Sequence, residues 1–199
     1  MKIGVVHALI AAALFGASTP LAKLLVDDIA PVMLAGLLYL GSGIGLLAWL
    51  LLRGLRAERI GDAYAHLRRR DLGWLAGATL SGGVVGPILL MAGLAVTSAA
   101  SASLLLNMEG VLTALLAWFV FKENFDRRIA LGMAFIVVGG VLLSWQDRPT
   151  LGVPWGALAI IGACLAWAID NNLTRKIAAS DAAQIAGIKG FVAGVVNVS

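Results

Sequence analysis

Glu109 lies near the middle of an apolar run from about residue 98 to 121, with Thr113 one turn on and Leu105 one turn back. An ionisable side chain at the centre of a membrane-crossing helix costs roughly 2.5–3.5 kcal/mol even on lenient insertion scales. Such a residue points to function: Glu109 lines a polar cavity, where it holds a cationic solute or carries a proton. The plainer reading is a protonated acid hydrogen-bonded between helices. Asn107 is two residues away, hence about 200° round the helix, and faces a different neighbour. Asp170, Asn171 and Asn172 stand late in another apolar run, where i,i+4 spacing offers Thr174 to Asp170 and Arg175 to Asn171. That cluster fits a cavity wall and a cytoplasmic interface equally well. Lys189 stands about seven residues into the last run, from where it can snorkel to the inner surface or pair with Glu109 or Asp170. Ser18-Thr19-Pro20 and Gly82-Gly83 with Gly86-Pro87 are breaks. Proline frees the carbonyl four residues back, at Gly16 and Gly83, and kinks its helix. Irregular backbone at membrane depth is tolerated only where it is buried in protein or lines a cavity. Ser18 and Thr19 are therefore cavity candidates, and Pro20, Gly83 and Pro87 hinge candidates, against the simpler alternative of a structural kink.

The elements that must carry these residues are membrane helices. Of the 199 residues, 60% are hydrophobic and 13% charged, and mean hydropathy is +0.94. Soluble domains carry roughly a quarter charged residues. Apolar segments fall at about 3–26, 31–52, 72–93, 98–121, 128–145, 153–174 and 182–198. Each approaches the roughly 20 residues that cross a hydrocarbon core, and barrel strands would be half as long and alternating. The fold class is an all-α polytopic membrane protein of about seven transmembrane helices, with the lipid bilayer as its first partner.

The net charge of +4 does not signal nucleic acid, because six of the 15 basic residues (Arg53, Arg56, Arg59, Arg68, Arg69 and Arg70) crowd one loop, 53–71. Such a loop faces anionic lipid on the cytoplasmic side; within it, residues 57–70 suit a short interfacial helix. With the N-terminus inside, twelve basic residues lie in the cytoplasm and only Lys23 and Arg148 outside. One cysteine, Cys164, and two histidines make a conventional zinc site improbable, and no cofactor pattern is present. The pairs Gly41/Gly45, Gly73/Gly77 and Gly190/Gly194 have the small-xxx-small spacing of close helix packing.

The chain also repeats itself. ALFGASTPLAK (13–23) lies over CLAWAIDNNLTRK (164–176) at an offset of about 152, and Ala35-Gly36-Leu37 over Ala186-Gly187-Ile188 at 151. Five helices separate the copies, so the second enters the membrane upside down. Inverted repeats of this kind are built into secondary transporters. On this reading residues 1–146 form a five-helix repeat and 153–199 begin a second. A complete second copy would bring the protein to about 300 residues and ten helices.

The runs LLNMEGVLTALLAWFVFKENFDRRIALGMAFIVVGGVLL (105–143), LAVTSAASASLL (94–105) and AWAIDNNLTRK (166–176) resemble the EamA-type transporters of the drug/metabolite transporter superfamily. The resemblance implies a ten-helix inverted-repeat carrier with a central cavity, both termini cytoplasmic, exporting or exchanging small organic metabolites or drugs across a bacterial inner membrane. Many members carry Arg about seven residues after the proline of the second helix. Here that position is Leu38, and Lys189 takes the equivalent place in the second copy. The expected cavity residues are thus Glu109, Asp170, Asn171 and Lys189, with Asn107, Ser18 and Thr19 beside them. A cavity acid is compatible with proton coupling.

Two other classes compete. An intramembrane enzyme lacks support, since HExxH, GxSxG and paired intramembrane aspartates are absent from the sequence. A membrane segment active only on assembly is the stronger rival, because five helices plus two do not reproduce five plus five; a homodimer would complete it.

Overall fold

A computed structural model describes residues 5–6, 9–10, 13–14, 29–60, 67–97, 99–124, 126–144 and 155–199, and its regular structure is helical. Ser18, Thr19 and Pro20 lie outside the described residues. The helices are α1 (Pro31–Ile60), α2 (Leu72–Ala78), α3 (Gly86–Leu94), α4 (Ala99–Leu106), α5 (Met108–Phe119), α6 (Arg127–Ser144), α7 (Trp155–Lys176) and α8 (Ala182–Val198). Among the described residues, four spans are long and apolar enough to cross a bilayer: Val32–Gly54, Arg69–Leu94, Ser101–Phe119 and Trp155–Lys176. Leu51, Phe119 and Phe135 leave 72%, 68% and 73% of their surface uncovered, as side chains solvated by lipid do. The chain is an all-α polytopic membrane protein.

The boundaries differ most from the expected ones in two places. The helix expected over 31–52 continues to Ile60, so Arg53 rides on α1 rather than in a loop. Its guanidinium stacks 4.7 Å from the Trp49 ring and pairs with Asp181. The helix expected over 98–121 is interrupted at Asn107, between α4 and α5. Asn107 turns its amide back on the Ser103 and Leu104 carbonyls, at 3.1 and 3.3 Å. The Cys164 thiol lies 3.5 Å from the Leu105 carbonyl oxygen beside that break. Sequence composition does not separate a continuous span from a broken one when both halves are equally apolar.

The break foreseen at Gly83 and Pro87 takes a particular form. Residues Thr79–Val85 widen into a π turn that joins α2 to α3 without leaving the helical path. Pro87 has no N–H to give to the turn, so carbonyls on its far side need other donors. Two neighbouring helices supply them. Trp167 Nε1 of α7 donates to the Gly82 carbonyl at 2.9 Å, and Asn197 Nδ2 of α8 donates to the Gly83 carbonyl at 2.7 Å. Asn197 is buried at 8% exposure, so no water replaces it. Asn197→Ala is expected to cost about 1–3 kcal/mol, the penalty for a stranded buried carbonyl. A thermal midpoint equal to that of the wild type would show that the turn does not depend on this donor.

Glycine sets how closely the helices approach. The stripe Gly82, Gly86 and Gly93 receives α7: added β-carbons would stand 2.6 Å from Asp170 Cβ, 2.7 Å from Trp167 Nε1 and 2.5 Å from Ile160 Cγ1. Across α1 and α8, a β-carbon at Gly43 would stand 2.7 Å from the carbonyl carbon of Gly190 and closer still to the Phe191 nitrogen; at Gly194 it would stand 2.6 Å from Leu40 Cγ. Farther out, Gly36 meets Val198 and Asn197 while Gly187 meets Leu47 and Leu46. The Gly190/Gly194 pair therefore packs as its spacing suggested. Gly41 and Gly45 do not, since a β-carbon on either meets nothing within 4 Å, and Gly36 and Gly43 face α8 instead.

Candidate functional site

Asp170 and Lys189 come together from α7 and α8. The ammonium of Lys189 donates to Asp170 Oδ1 and, at 3.1 Å, to Thr174 Oγ1. Thr174 Oγ1 in turn donates to Asp170 Oδ1 at 2.9 Å, the i,i+4 contact its spacing offered. The pair side chains retain only 20% and 13% of their exposure. Lys189 is ~10 Å along α8 from Ala182, and Asp170 is ~9 Å from the end of α7, so the pair sits within the apolar span. The carboxylate is seated against Gly82 in the π turn, where any side chain would displace it. Of the three fates open to Lys189, the structure selects the pair with Asp170.

A second polar cluster lies across α5 and α7. Asn171 Nδ2 donates to Glu109 Oε1 at 3.0 Å and reaches Thr113 Oγ1 at 3.4 Å. Asn172, buried, donates to the Thr113 carbonyl at 3.0 Å and to the Ala168 carbonyl at 2.9 Å. Asn171 thus serves Glu109 and not Arg175, which the i,i+4 spacing had offered. Arg175 instead pairs with Glu123, just beyond α5, and Lys176 stacks 5.1 Å from the Phe121 ring. The segment after α5 closes on itself, with the Glu123 N–H bonded to the Ala117 carbonyl at 3.0 Å and Lys122 in the left-handed region at φ 56°.

Adjacent positions of α7 therefore feed different clusters. Asp170 points toward the π turn and α8, and Asn171, ~100° round the helix, points toward α5. Asn107, bonded to its own helix, joins neither. Beside Lys189 lies a cavity of about 400 Å³ between α1, the end of α7 and the start of α8, lined in part by Tyr39, Ser42, Thr174 and Lys189. Tyr39 and Ser42 were not singled out from the sequence. Their signal was available: two hydroxyls three residues apart in an apolar helix share one face.

Polar residues at one end of the helices are also joined. Asp181 caps α8 by accepting from the Ala183 and Gln184 amides at 2.9 and 3.2 Å, and its other oxygen takes Arg53. Gln184 Oε1 accepts the Leu67 amide at 3.0 Å. The end of α1, the approach to α2 and the start of α8 are thereby tied at one membrane face.

Comparison with known proteins places this arrangement. Residues 2–145 match the EamA-like transporter family. An uncharacterized transporter of Methanothermobacter thermautotrophicus is 29% identical over 204 residues, covering 97% of this chain and 59% of that protein. The uncharacterized transporter YyaM of Bacillus subtilis is 30% identical over 92 residues, covering 44% of this chain and 30% of its own length. The chain thus spans less than two thirds of the curated relatives it matches. No solved structure matches it. With the family matched over most of its length, and with charged and amide side chains paired inside apolar helices, the chain belongs to the EamA-like transporter family.

Proposed function

We propose that these helices form one wall of the solute pathway in a secondary carrier of small organic metabolites or drugs, exporting or exchanging them across a bacterial inner membrane. The observation that carries the reading is the Asp170–Lys189 pair, held against the π turn at membrane depth and bordering a cavity. A charge pair in this environment is costly to desolvate, and a purely structural contact would be made as well by apolar side chains. Glu109, hydrogen-bonded to Asn171 and only half buried, is the second polar station and the candidate for carrying a proton. The twelve-to-two distribution of basic residues supports an N-terminus in the cytoplasm.

The contacts between α1 and α8 support an inverted repeat. Adding the sequence offset of 151 turns Gly36 into Gly187 and Leu46 and Leu47 into Asn197 and Val198. The observed contacts obey that exchange: Gly36 meets Asn197 and Val198, and Gly187 meets Leu46 and Leu47. Likewise Gly43 becomes Gly194 and Leu40 becomes Phe191; Gly43 meets Phe191 and Gly194 meets Leu40. The crossing is self-complementary, as a two-fold axis in the membrane plane requires. In the proposed carrier the two repeats rock about this crossing while the polar stations face the pathway.

The test is a comparison of excreted metabolites from efflux-deficient bacteria expressing the wild type or Glu109→Gln. The wild type is expected to raise the external level of one or more small organic solutes. Glu109→Gln should lower that export about tenfold or more, the worth of one hydrogen bond to a charged group. Unchanged export with unchanged pH dependence in Glu109→Gln would remove the role assigned to this acid. Absence of any solute raised by the wild type would remove the carrier reading itself.

A further inference from the structure

The cavity beside Lys189 presents donors and apolar surface. The lysine ammonium has three N–H groups; two are engaged, by Asp170 and Thr174. The Thr174 hydroxyl is also occupied, since it donates to Asp170 while accepting from Lys189. The Asp170 carboxylate is occupied: its Oδ1 takes Lys189 and Thr174, and its Oδ2 lies over Gly82 in the π turn. Among the described residues, no Asp, Glu, Asn or Gln lines this space. The cavity therefore sees the remaining Lys189 N–H together with the Tyr39 and Ser42 hydroxyls, and its other walls are aliphatic, Ile185 among them. A ligand that fits must bring acceptors at one end and hydrocarbon at the other.

We infer that this cavity binds a small monocarboxylate with an apolar tail, its carboxylate on Lys189, Tyr39 and Ser42 and its tail toward Ile185. The inference rests on the carrier reading and narrows the solute class for the same site. Charge arithmetic favours the assignment. Lys189 and Asp170 cancel, so the site repels neither ion over long range, and selection falls to the groups in contact. Those groups offer an anion the charged Lys189 donor, whereas an ammonium meets only hydroxyl lone pairs beside a like charge. An amine would be held by hydroxyls alone against the Lys189 charge, and a neutral amide would accept from Lys189 without bringing the opposite charge to it.

The test is calorimetric titration of the purified chain in lipid nanodiscs with three probes of one shape: 4-methylpentanoate, 4-methylpentanamide and 4-methylpentylamine. The carboxylate is expected to bind about tenfold more tightly than the amide, and the amine more weakly than either. Tyr39→Phe, which leaves the ion pair in place, is expected to weaken the carboxylate about fivefold. The double variant Asp170→Asn/Lys189→Met, free of unpaired charge, is expected to bind carboxylate and amide alike. Equal binding of carboxylate and amine, no binding of any probe, or a carboxylate preference that survives in the double variant would overturn the assignment. Glu109-dependent export without carboxylate preference would overturn it too, leaving the carrier reading intact. Carboxylate preference without export would support the site and remove the carrier reading.

Discussion

Gly43→Val is expected to destabilise the protein by at least about 3 kcal/mol, at the upper end of what overpacking costs, whereas Gly41→Val, two residues away, is expected to cost under about 0.5 kcal/mol. The two substitutions add the same atoms to the same helix. They differ in what the new side chain meets. At Gly43 it meets the Gly190 and Phe191 backbone of α8, which has no rotamer by which to yield; at Gly41 it meets nothing within 4 Å. Close backbone approach through small residues is a principal source of helix association in lipid, where no hydrophobic drive operates between helices. The expected drop in thermal midpoint for Gly43→Val is about 6 °C or more for a chain of this size, read by size-exclusion chromatography after stepwise heating. Equal midpoints for Gly41→Val and Gly43→Val would mean that α1 and α8 do not pack through Gly43. Because the crossing is self-complementary, Gly194→Val should behave like Gly43→Val, its β-carbon meeting Leu40 as that of Gly43 meets Phe191.

These glycines show where a sequence of this kind is legible and where it is not. Helix α8 begins at Ala182 and ends at Val198, as its apolar run indicates, and α7 runs two residues past the expected 174 at its end. Length and polarity locate helices because lipid imposes both. The same solvent removes the phase. A helix apolar on every side carries no periodic mark of the face that meets a neighbour, so Gly41 and Gly45 looked as good as Gly36 and Gly43. The start of the arginine loop was misplaced for a related reason: the helix runs on through Arg53 to Ile60, where hydropathy falls but helix geometry does not. The polar residues were easier, because each is costly in lipid and so stands out. Even there, the sequence named Asp170, Glu109 and Lys189 without saying which would meet. Partner choice depends on the rotation of α7, which sends Asp170 to α8 and Asn171 to α5. Tyr39 and Ser42 were missed because hydroxyls are inexpensive in a helix and draw no notice.

The Asp170–Lys189 pair itself allows the sharpest separation of structure from function. Lys189→Met leaves Asp170 against Gly82 with the Thr174 hydroxyl still donating to it, and Asp170→Asn leaves a buried ammonium without its counter-charge. Removing one member of a buried pair costs about 3–5 kcal/mol, most of it the desolvation of the charge left behind. Both single variants are therefore expected to lose stability of that order. In the double variant Asp170→Asn/Lys189→Met no charge is stranded, and replacement of a buried pair by neutral groups is often close to neutral. It is expected to recover to within about 1–2 kcal/mol of the wild type, giving a coupling energy of at least about 2 kcal/mol in the cycle. Additive losses would show that the two side chains do not interact in the membrane. Export should follow a different pattern: if the pair serves the solute pathway, the double variant folds and does not transport. A double variant that is both stable and fully active would make the pair a packing device, and the solute site would then have to lie with Glu109 and Asn171. Stability restored with export lost is the outcome expected here, because the proposed role of the pair lies in the solute pathway while its packing can be replaced by neutral side chains.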